Sequence, residues 1–439
     1  HHLAHDHPPP HTAPHLHQEQ LRLGHPSRPN PAMAPPASVH GTPVDRAPLN
    51  VFVKDTSTAH KAWTNVFQLP IEYTVEQHRA LLHPDNPTLA TRFMPEGHPP
   101  RRFLVVDHAV QRLYGPQLAA YFDFHKVHTH TVVLPGEEEN KTLDAVHKVF
   151  EGLCTFALHR REPILAIGGG VVLDIVGFAA SLYRRGVPYI RVPTTLLAIV
   201  DASVGVKTGI DYLSTTKGPL KNRMGSFYAP CAAFLDKSFI ATQDPRNIRN
   251  GLGEIMKLAL VRSEELFLLL EQHGPRMVEE RFQTTNDPVP DRIIELSIQI
   301  MLEELGPNLW EHKLERCVDY GHTFSKLIEM AAVPPLMHGE AVNVDGFCCV
   351  LLSHRRGWIS TETRDRIYNC MRNLQLKVYD PLCADAEIMW KATEDAVEHR
   401  HGQQRIPLIT GIGSAVCVND VTREEIKGLI EELQSNYES

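Results

Sequence analysis

The sequence predicts an α/β region with a mostly parallel sheet, followed by an all-α region. Apolar strands and helical stretches alternate from about residue 102 to residue 200, which is the pattern of βαβ units. After Pro245, helical periodicity dominates and strand signals nearly vanish. This change predicts a domain boundary near residue 240, with one domain over 49–240 and a second over 241–439.

Residues 1–48 differ in composition from the rest of the chain. They are crowded with histidine and proline, as in His5 to Pro10, and they lack apolar periodicity. Such a segment cannot bury a core, so we predict a disordered arm, and it has no apolar signal-peptide core. Histidine tracts can bind metal, which keeps a non-enzymatic metal-binding protein as an alternative.

Composition excludes several classes of partner. The 439 residues carry a formal net charge of −8, which argues against nucleic acid or an anionic membrane surface as the main partner. No apolar run reaches about 18 residues, so no transmembrane helix is expected. The eight cysteines form no CxxC pair and are expected to be reduced thiols, which favours the cytoplasm.

The first strands of the α/β region can be placed individually. Arg102 to Asp107 is an apolar run that ends in a carboxylate, as buried parallel strands do. Thr131–Leu134 is the next strand, and a helix is expected over Thr142–His159. Glu138 and Lys141 precede that helix; they are interpreted either as a solvated capping pair or as ribose or phosphate contacts, and alone the first interpretation is favoured. Candidate edge strands are Phe52–Lys54 and Ile71–Val75.

A glycine-rich turn follows the next strand. A strand (Pro163–Ile167), three glycines (Gly168–Gly170) and a helical run (Val171–Tyr183) succeed one another. Glycine permits positive φ and close approach of a ligand, and the helix N-terminus offers free N–H groups. Asp174 lies one turn into the helix. A further strand, Tyr189–Val192, ends in Thr194-Thr195, and this second polar turn favours a nucleotide site over a tight turn without a ligand.

The helical region contains residue types suited to one divalent metal ion. Glu254, His322 and His338 are separated by 68 and 16 residues, which matches no short zinc motif. However, Glu254 lies in an apolar helix, and a buried carboxylate needs a partner. Two histidines and one glutamate leave positions open for substrate. The predicted helices are Ile248–His273, Asp291–Glu304, Cys317–Met330, Glu340–His354, Glu362–Asn373, Glu387–His399 and Thr422–Leu433.

Several cations suggest an anionic substrate beside the cofactor. Lys257 falls on the helix face of Glu254, where a structural ion pair is the alternative interpretation. Lys207, Lys221 and Arg185 could each be surface residues, although Lys207 lies in a run of small residues and is difficult to explain as part of a solvated face. Asn222 offers a neutral hydrogen-bonding group nearby. A dinucleotide, a metal and a phosphate site together suit oxidation of a secondary alcohol.

Six segments carry a resemblance to a known family. GGGVVLDIVGF, YRRGVPYIRVPTTLLAIVDASVGVKTGI, KNRMGSF, NGLGEIMK, DYGHTFS and MHGEAV resemble the signature segments of the sugar phosphate cyclases, the dehydroquinate synthase-like family. The resemblance covers roughly residues 65–430. It implies an N-terminal Rossmann-like domain, a C-terminal helical domain, usually a homodimer, tightly bound NAD⁺ and one Zn²⁺ or Co²⁺.

The resemblance also implies roles for particular residues. Glu254, His322 and His338 would bind the metal, Lys207, Asn222 and Lys257 would face the substrate, and Arg185 would reach a phosphate across a dimer interface. The implied NAD-binding residues are Asp107, Glu138, Lys141, Gly169, Gly170, Val171, Val172, Leu173, Asp174, Thr194, Thr195, Asp201, Lys207, Lys221, Phe239 and Thr242.

Within the family, the segments GHTFSK, HGEAVNVD and HRHGQQRI are most similar to the 2-epi-5-epi-valiolone synthases. These enzymes oxidise sedoheptulose 7-phosphate with NAD⁺, eliminate phosphate, reduce the ketone again and close the ring by an aldol step. Desmethyl-4-deoxygadusol synthase, 3-dehydroquinate synthase and a metal-dependent polyol dehydrogenase are the alternatives.

This chain departs from the family pattern at four places. Asp319 stands where dehydroquinate synthases have Asn, and Lys326 stands where they have His and where both sister groups commonly have Pro. The basic residues expected around Ser297–Glu315 are absent, and Tyr212–Pro219 resembles an insertion. Lys326 is interpreted, with Arg400 and Arg405, either as a phosphate or product contact or as a structural residue.

Overall fold

The computed structural model describes residues 50–55, 62–67, 69–216 and 218–437, so the predicted arm over residues 1–48 lies outside the described residues. The chain divides into two units, and the second contains everything from Glu72 onward. In the first unit, β1 (Asn50–Asp55) pairs antiparallel with β2 (Ala62–Phe67). The predicted strand Phe52–Lys54 therefore belongs to a hairpin.

A six-stranded parallel sheet forms the first half of the second unit. Its spatial order is β3-β10-β7-β6-β4-β5, and every adjacent pair is parallel. This confirms the predicted α/β architecture. The strands are β3 (Thr74–Gln77), β4 (Arg101–Asp107), β5 (His128–Leu134), β6 (Ile164–Gly168), β7 (Tyr189–Pro193), β8 (Lys207–Ser214), β9 (Gly218–Phe227) and β10 (Ala232–Leu235), of which β8 and β9 form a separate hairpin.

The central strands are buried on both faces because helices cover the sheet from either side. Alternate residues of β4 enter two different cores: Phe103 packs in one, and Leu104 packs in the other. The connecting helices are α1 (Thr88–Thr91), α2 (His108–Phe124), α3 (Leu143–Phe156) and α4 (Gly170–Leu182). The parallel register brings Asp107 beside Leu134, and Gly168 beside Pro193. The carboxyl ends of these strands therefore meet at one edge.

The β8–β9 hairpin was not predicted. The segment that resembles an insertion, Tyr212–Pro219, spans the end of this hairpin. The hairpin packs closely on α4, since a Cβ atom on Gly177 would lie 2.4 Å from Cγ2 of Thr208. These partly polar strands carry little periodicity of their own, and tertiary packing decides their structure.

The second half of this unit is mainly helical, as predicted. One predicted helix, Ile248–His273, is in fact two, because Ser263 ends the first and its hydroxyl caps the second through the N–H of Leu266. The predicted helix Cys317–Met330 is instead a 3₁₀ turn (Cys317–Asp319) and an α-helix that begins at Ser325, and Gly321 between them has φ of +75°. The helices are α5 (Pro245–Arg262), α6 (Glu264–Glu279), α7 (Val289–Leu305), α8 (Ser325–Ala331), α9 (His338–Arg355), α10 (Thr361–Asn373), α11 (Ala386–His399) and α12 (Arg423–Asn436).

A small hairpin corrects the expectation that strands nearly vanish after Pro245. β11 (Ile406–Gly411) pairs antiparallel with β12 (Ser414–Val418). Among the described residues, no helix combines the length and the apolar character needed to cross a bilayer. The domain division near residue 240 stays a prediction.

Candidate metal and nucleotide site

Three residues from separate segments converge on one point. Glu254 comes from the middle of α5, His322 from the loop before α8, and His338 from the first turn of α9. One potential ligand atom from each lies within 4.8 Å of the others. Oε1 of Glu254 lies 3.7 Å from Nε2 of His322 and 3.3 Å from Nε2 of His338. The structure therefore brings together all three predicted metal ligands.

The carboxylate of Glu254 fits a metal better than it fits its protein neighbours. The side chain is 1% exposed, and neither of its oxygens has a well-aligned hydrogen-bond donor. Nζ of Lys257 lies 2.5 Å from Oε2 as an ion pair. Two imidazoles and one carboxylate form a donor set that suits Zn²⁺ or Co²⁺.

Both histidines are held at Nδ1, which leaves Nε2 facing the glutamate. Nδ1 of His322 lies 3.0 Å from the carbonyl oxygen of Tyr320. Nδ1 of His338 lies 3.2 Å from Oε2 of Glu329. Such partners fix the tautomer and the ring orientation of a metal-binding histidine.

The cluster is strongly polarised by its own charges. Burial opposes the charge of Glu254, yet Lys257 and then the two histidines hold its pKa well below the ordinary value. Burial also opposes the charge of His338, but Glu254 and Glu329 raise its pKa to about 9. In contrast, burial and then Lys257 lower the pKa of His322 to about 3. The surrounding groups therefore shift the pKa values of the two imidazoles in opposite directions.

Lys257 has the structural role considered for it, and its predicted contact with the substrate stays a prediction. It forms the ion pair with Glu254, as the structural interpretation expects, and it is 5% exposed. Burial would lower its pKa, but Glu254 and then Asp201 raise it. Asp201 lies in the helical turn Ala198–Ala202, and burial followed by Glu254 raises its pKa. Asp201 therefore interacts electrostatically with Glu254 and Lys257.

The glycine turn forms the predicted strand-to-helix cradle, but not through positive φ. Gly169 has φ of −76° and precedes α4, and Gly168 to Gly170 all keep ordinary φ values. Space is the reason for glycine here: a Cβ atom on Gly168 would lie 2.9 Å from Cβ of Asp107. The N–H of Thr194 donates to the carbonyl of Gly168 at 3.0 Å, which joins the two predicted polar turns.

Lys141 is buried, so a solvated capping pair with Glu138 is the wrong interpretation. Its side chain is 6% exposed, and Nζ lies 2.7 Å from Asp174 and 2.7 Å from Oδ1 of Asn222. Glu138 instead lies 3.1 Å from Nζ of Lys221. The structure therefore joins α4, β9 and the loop after β5 in one polar network beside the cradle.

The remaining predicted NAD-binding residues line the same sheet edge with mixed roles. Asp107 caps α2 through the N–H of Ala109 at 2.7 Å. Phe239 is buried against Tyr114, whose hydroxyl lies 3.1 Å from Oγ1 of Thr242. The first turn of α4 contains Gly170, Val171, Val172 and Leu173. The hydroxyl of Thr195 caps the following turn by accepting from the N–H of Ala198.

Two predicted substrate residues lie in settings that the sequence did not indicate. Lys207 is 61% exposed, and its Nζ lies 3.0 Å from Oε1 of Glu311. The expectation that Lys207 avoids a solvated position is therefore wrong. It is the first residue of the β8–β9 hairpin. Arg185 is exposed in the turn after α4, at the opposite end of that helix from Gly170. Its predicted reach across a dimer interface stays a prediction.

A second group of cations lies beside the metal loop. Partial burial and then Arg400 lower the pKa of Lys326, with further contributions from Lys207 and Arg223. Arg400 is 7% exposed and donates to the carbonyl oxygens of Gln404 and Arg405. Arg400 therefore has a structural anchor, while the exposed Lys326 lies near cations and also near Asp319, which opposes the lowering of its pKa.

Sequence analysis missed two carboxylates that support the site. Asp345, on α9, accepts from the N–H groups of Thr323, Phe324 and Ser325 at 2.6–2.9 Å. Glu329, on α8, contacts His338. Burial raises the pKa of Glu329, but His338 and then Lys221 outweigh it and lower the pKa to about 2. Glu329 could have been noticed in the sequence, because it is an acidic residue that directly follows the apolar residues Leu327 and Ile328.

Comparisons with known proteins agree with this geometry. The family profile described as 3-dehydroquinate synthase N-terminal matches residues 131–250, and the C-terminal profile matches residues 251–395. A 2-epi-5-epi-valiolone synthase from Actinomyces sp. is 45% identical over 377 residues, which cover 85% of this chain and 97% of the relative. A demethyl-4-deoxygadusol synthase from Trichormus variabilis is 37% identical, covering 84% of this chain and 89% of the relative.

A solved structure gives the same result. The 2-epi-5-epi-valiolone synthase of Streptomyces hygroscopicus subsp. jinggangensis 5008, solved with NAD⁺ and Zn²⁺ bound, is 44% identical and superimposes with a TM-score of 0.78. The match covers 84% of this chain and 98% of that one. With nearly full-length relatives, two matching family profiles and the predicted ligand cluster in place, the chain belongs to the dehydroquinate synthase-like family of sugar phosphate cyclases.

Proposed function

We propose that this protein converts sedoheptulose 7-phosphate to 2-epi-5-epi-valiolone and inorganic phosphate, using NAD⁺ and Zn²⁺ or Co²⁺. The observation that carries the proposal is the convergence of Glu254, His322 and His338, in a chain 45% identical to a synthase of that name. The relative that makes demethyl-4-deoxygadusol is less similar, at 37% identity.

The two cofactors have separate sets of residues. Glu254, His322 and His338 would hold the metal, and the N–H groups that begin α4 would face the pyrophosphate of NAD⁺. When bound, NAD⁺ accepts and returns a hydride, and the metal acidifies a substrate hydroxyl. Lys257, within 2.5 Å of Glu254, would balance the negative charge of the ligand set and hold a substrate oxygen in place.

The charges around Asp319 favour a heptulose phosphate, which has no carboxylate, over a heptulosonate phosphate, which has one. Asp319 is half-buried, and its pKa is lowered: burial opposes the charge, but Arg316 and then Arg400 outweigh it. Arg316 is itself paired with both Asp319 and Glu311. A substrate carboxylate would therefore meet a fixed negative charge rather than a free arginine.

The phosphate group of the substrate has cationic partners available. We assign Lys207 and Lys326 to the sugar phosphate as cations and Asn222 as a neutral hydrogen-bonding group, and Lys326 lies near Arg400 and Arg223. Charged hydrogen bonds to phosphate are among the stronger interactions of a binding site. These residues would hold the leaving phosphate, while the hydride and the proton are lost from the two carbons that precede the phosphate-bearing carbon in the sugar chain.

Three further expectations belong to the same proposal. We assign the active form as a homodimer in which Arg185 of a second copy completes the phosphate site. We also assign an NAD-binding domain over 49–240 and a metal- and substrate-binding domain over 241–439. The eight cysteines are free thiols, which supports a reducing compartment such as the cytoplasm.

The test is phosphate release from three substrates by purified protein supplied with NAD⁺ and Zn²⁺ or Co²⁺. The substrates are sedoheptulose 7-phosphate, 3-deoxy-arabino-heptulosonate 7-phosphate and glucose 6-phosphate, and NMR identifies the product. We expect phosphate only from the heptulose, with 2-epi-5-epi-valiolone as product. Release only from the heptulosonate, or none from any substrate, would contradict the proposal.

A further inference from the structure

Glu329 lies between a metal ligand and a lysine of the nucleotide region. Its Oε2 is 3.2 Å from Nδ1 of His338, and its Oε1 accepts a hydrogen bond from Nζ of Lys221. The side chain is only 12% exposed, so both contacts are shielded from water. Lys221 in turn lies 3.1 Å from Glu138. A continuous path of charged contacts therefore runs from His338 to the nucleotide side of the cleft.

The two histidines depend on different kinds of support. His322 is held by the backbone carbonyl of Tyr320, which lies two residues away in the same loop. His338 is held by the side chain of Glu329, and Glu329 is anchored by Lys221 on β9 of the sheet half. The orientation of His338 therefore depends on a residue from the other half of the protein, whereas that of His322 is local.

We propose that Glu329 is a positioning residue that fixes His338 for the metal and Lys221 for the nucleotide, so that this one carboxylate supports both cofactor sites. The inference rests on the proposed function, since it assigns the metal to His338 and NAD⁺ to the neighbourhood of Lys221. A purely structural ion pair would behave differently, because its loss would lower stability without changing either affinity.

The decisive variant is Glu329→Gln, which keeps the size of the side chain but removes its charge. Its single carbonyl oxygen cannot serve both His338 and Lys221. Metal-free protein is titrated with Co²⁺, and binding is monitored by the visible absorption of the bound ion. We expect the affinity for Co²⁺ to fall about 10- to 100-fold, as for other residues that support metal ligands, and the absorption bands to shift.

The nucleotide half of the inference is tested on the same metal-free protein. NAD⁺ binding is measured by calorimetry, so that no effect can pass through the metal. We expect Glu329→Gln to bind NAD⁺ about three- to tenfold more weakly, which corresponds to the net contribution of one hydrogen bond. An unchanged or stronger affinity for NAD⁺ would overturn this half.

The matched control is Glu162→Gln. Glu162 is similarly buried, at 5% exposure, and is bonded to Arg101 rather than to a site residue, so both affinities should stay within about twofold of the wild type. Should Glu329→Gln not fold, Lys221→Met answers the same question, since it releases Glu329 from its anchor and should weaken Co²⁺ binding about threefold or more. Unchanged Co²⁺ binding in these site variants overturns the inference alone, whereas a wild type that binds no metal overturns the proposed function.

Discussion

The nucleotide edge of the sheet and the metal cluster of the helical half are built by different means. At the sheet edge, the contiguous stretch Gly168–Asp174 presents mainly backbone N–H groups, and the side chains of Val172 and Leu173 are buried in the core. In the metal cluster, three titratable side chains from separate segments converge, and further groups hold them. The first site therefore follows from local sequence, and the second from tertiary structure.

This difference has a consequence for substitutions. A site made of N–H groups is disturbed by bulk, since a side chain can block the approach of a ligand. A site made of charged side chains is disturbed by loss of charge, since a buried partner is left uncompensated. The two halves should therefore respond to different variants, and four predictions follow from that contrast, beginning with the largest effect.

The largest effect is expected from Glu254→Ala. Removing the only carboxylate of the ligand set should lower the bound metal to near zero and reduce turnover at least about a thousandfold, as several kcal/mol of transition-state stabilisation are lost. Binding of NAD⁺ should stay within a few-fold of the wild type, because the cradle is separate. Metal analysis, phosphate release and NAD⁺ titration check these outcomes. Full turnover without the carboxylate of Glu254 would contradict its assignment as a metal ligand.

A smaller loss, of the opposite kind, is expected from Gly169→Val. A Cβ atom here meets only Thr195, at 3.4 Å, so the fold should tolerate the change while the added side chain obstructs the cradle. We expect NAD⁺ affinity to fall about 10- to 100-fold, equivalent to one or two hydrogen bonds to a charged phosphate, with metal content unchanged. Equal NAD⁺ affinity in the variant would show that the cofactor does not approach this turn.

Lys326→Met should affect the substrate rather than either cofactor. Loss of this cation from the group near Arg400 should raise KM for the sugar phosphate about tenfold, in line with one charged hydrogen bond. Affinities for NAD⁺ and metal should not change. Steady-state kinetics check the prediction, with Lys427→Met on the C-terminal helix α12 as a matched control; an unaltered KM would favour the structural interpretation of Lys326.

The smallest effect on activity is expected at a buried charge of the sheet half that lies away from the site. Glu162 pairs with Arg101 at the start of β4; burial raises its pKa, but the bond from Arg101 outweighs this and the net pKa is lowered. Glu162→Gln should cost about 1–3 kcal/mol in the free energy of unfolding at neutral pH, with turnover unchanged.

The pH dependence gives this last prediction its sign. Because the folded pKa of Glu162 is lowered, its stabilisation is fully present above the unfolded value of about 4.3 and is lost as the pH falls through the folded pKa. The variant and the wild type should therefore converge in acid. Urea unfolding at several pH values measures this, and a constant difference in stability down to strongly acidic pH would exclude the charge as the cause.

The contrast between the two sites also explains what could be predicted from the sequence. β4 and β6 were placed closely because a strand buried on both faces is a continuous apolar run. The cradle was placed because its strand, glycines and helix are contiguous. For the metal cluster, the residue types suggested candidate ligands, but their separations of 68 and 16 residues encode no local geometry. The family resemblance was therefore needed to assign these three residues as the ligands.

What escaped prediction depends on contacts between distant residues. The burial of Lys141 follows from Asp174 and Asn222, which lie on other elements. Glu329 gains its position from Lys221, 108 residues earlier in the chain. The β8–β9 hairpin has too little periodicity to be recognised, and packing on α4 stabilises it. In each case, the deciding partner is remote in sequence.

The most direct measurement of the central claim is a single-turnover reaction with sedoheptulose 7-phosphate, following reduced nicotinamide and phosphate together. The account predicts that reduced nicotinamide rises and then decays within one turnover, while one phosphate is released and NAD⁺ is recovered. Reduced nicotinamide that persists without phosphate release would contradict it and would make the protein a dehydrogenase.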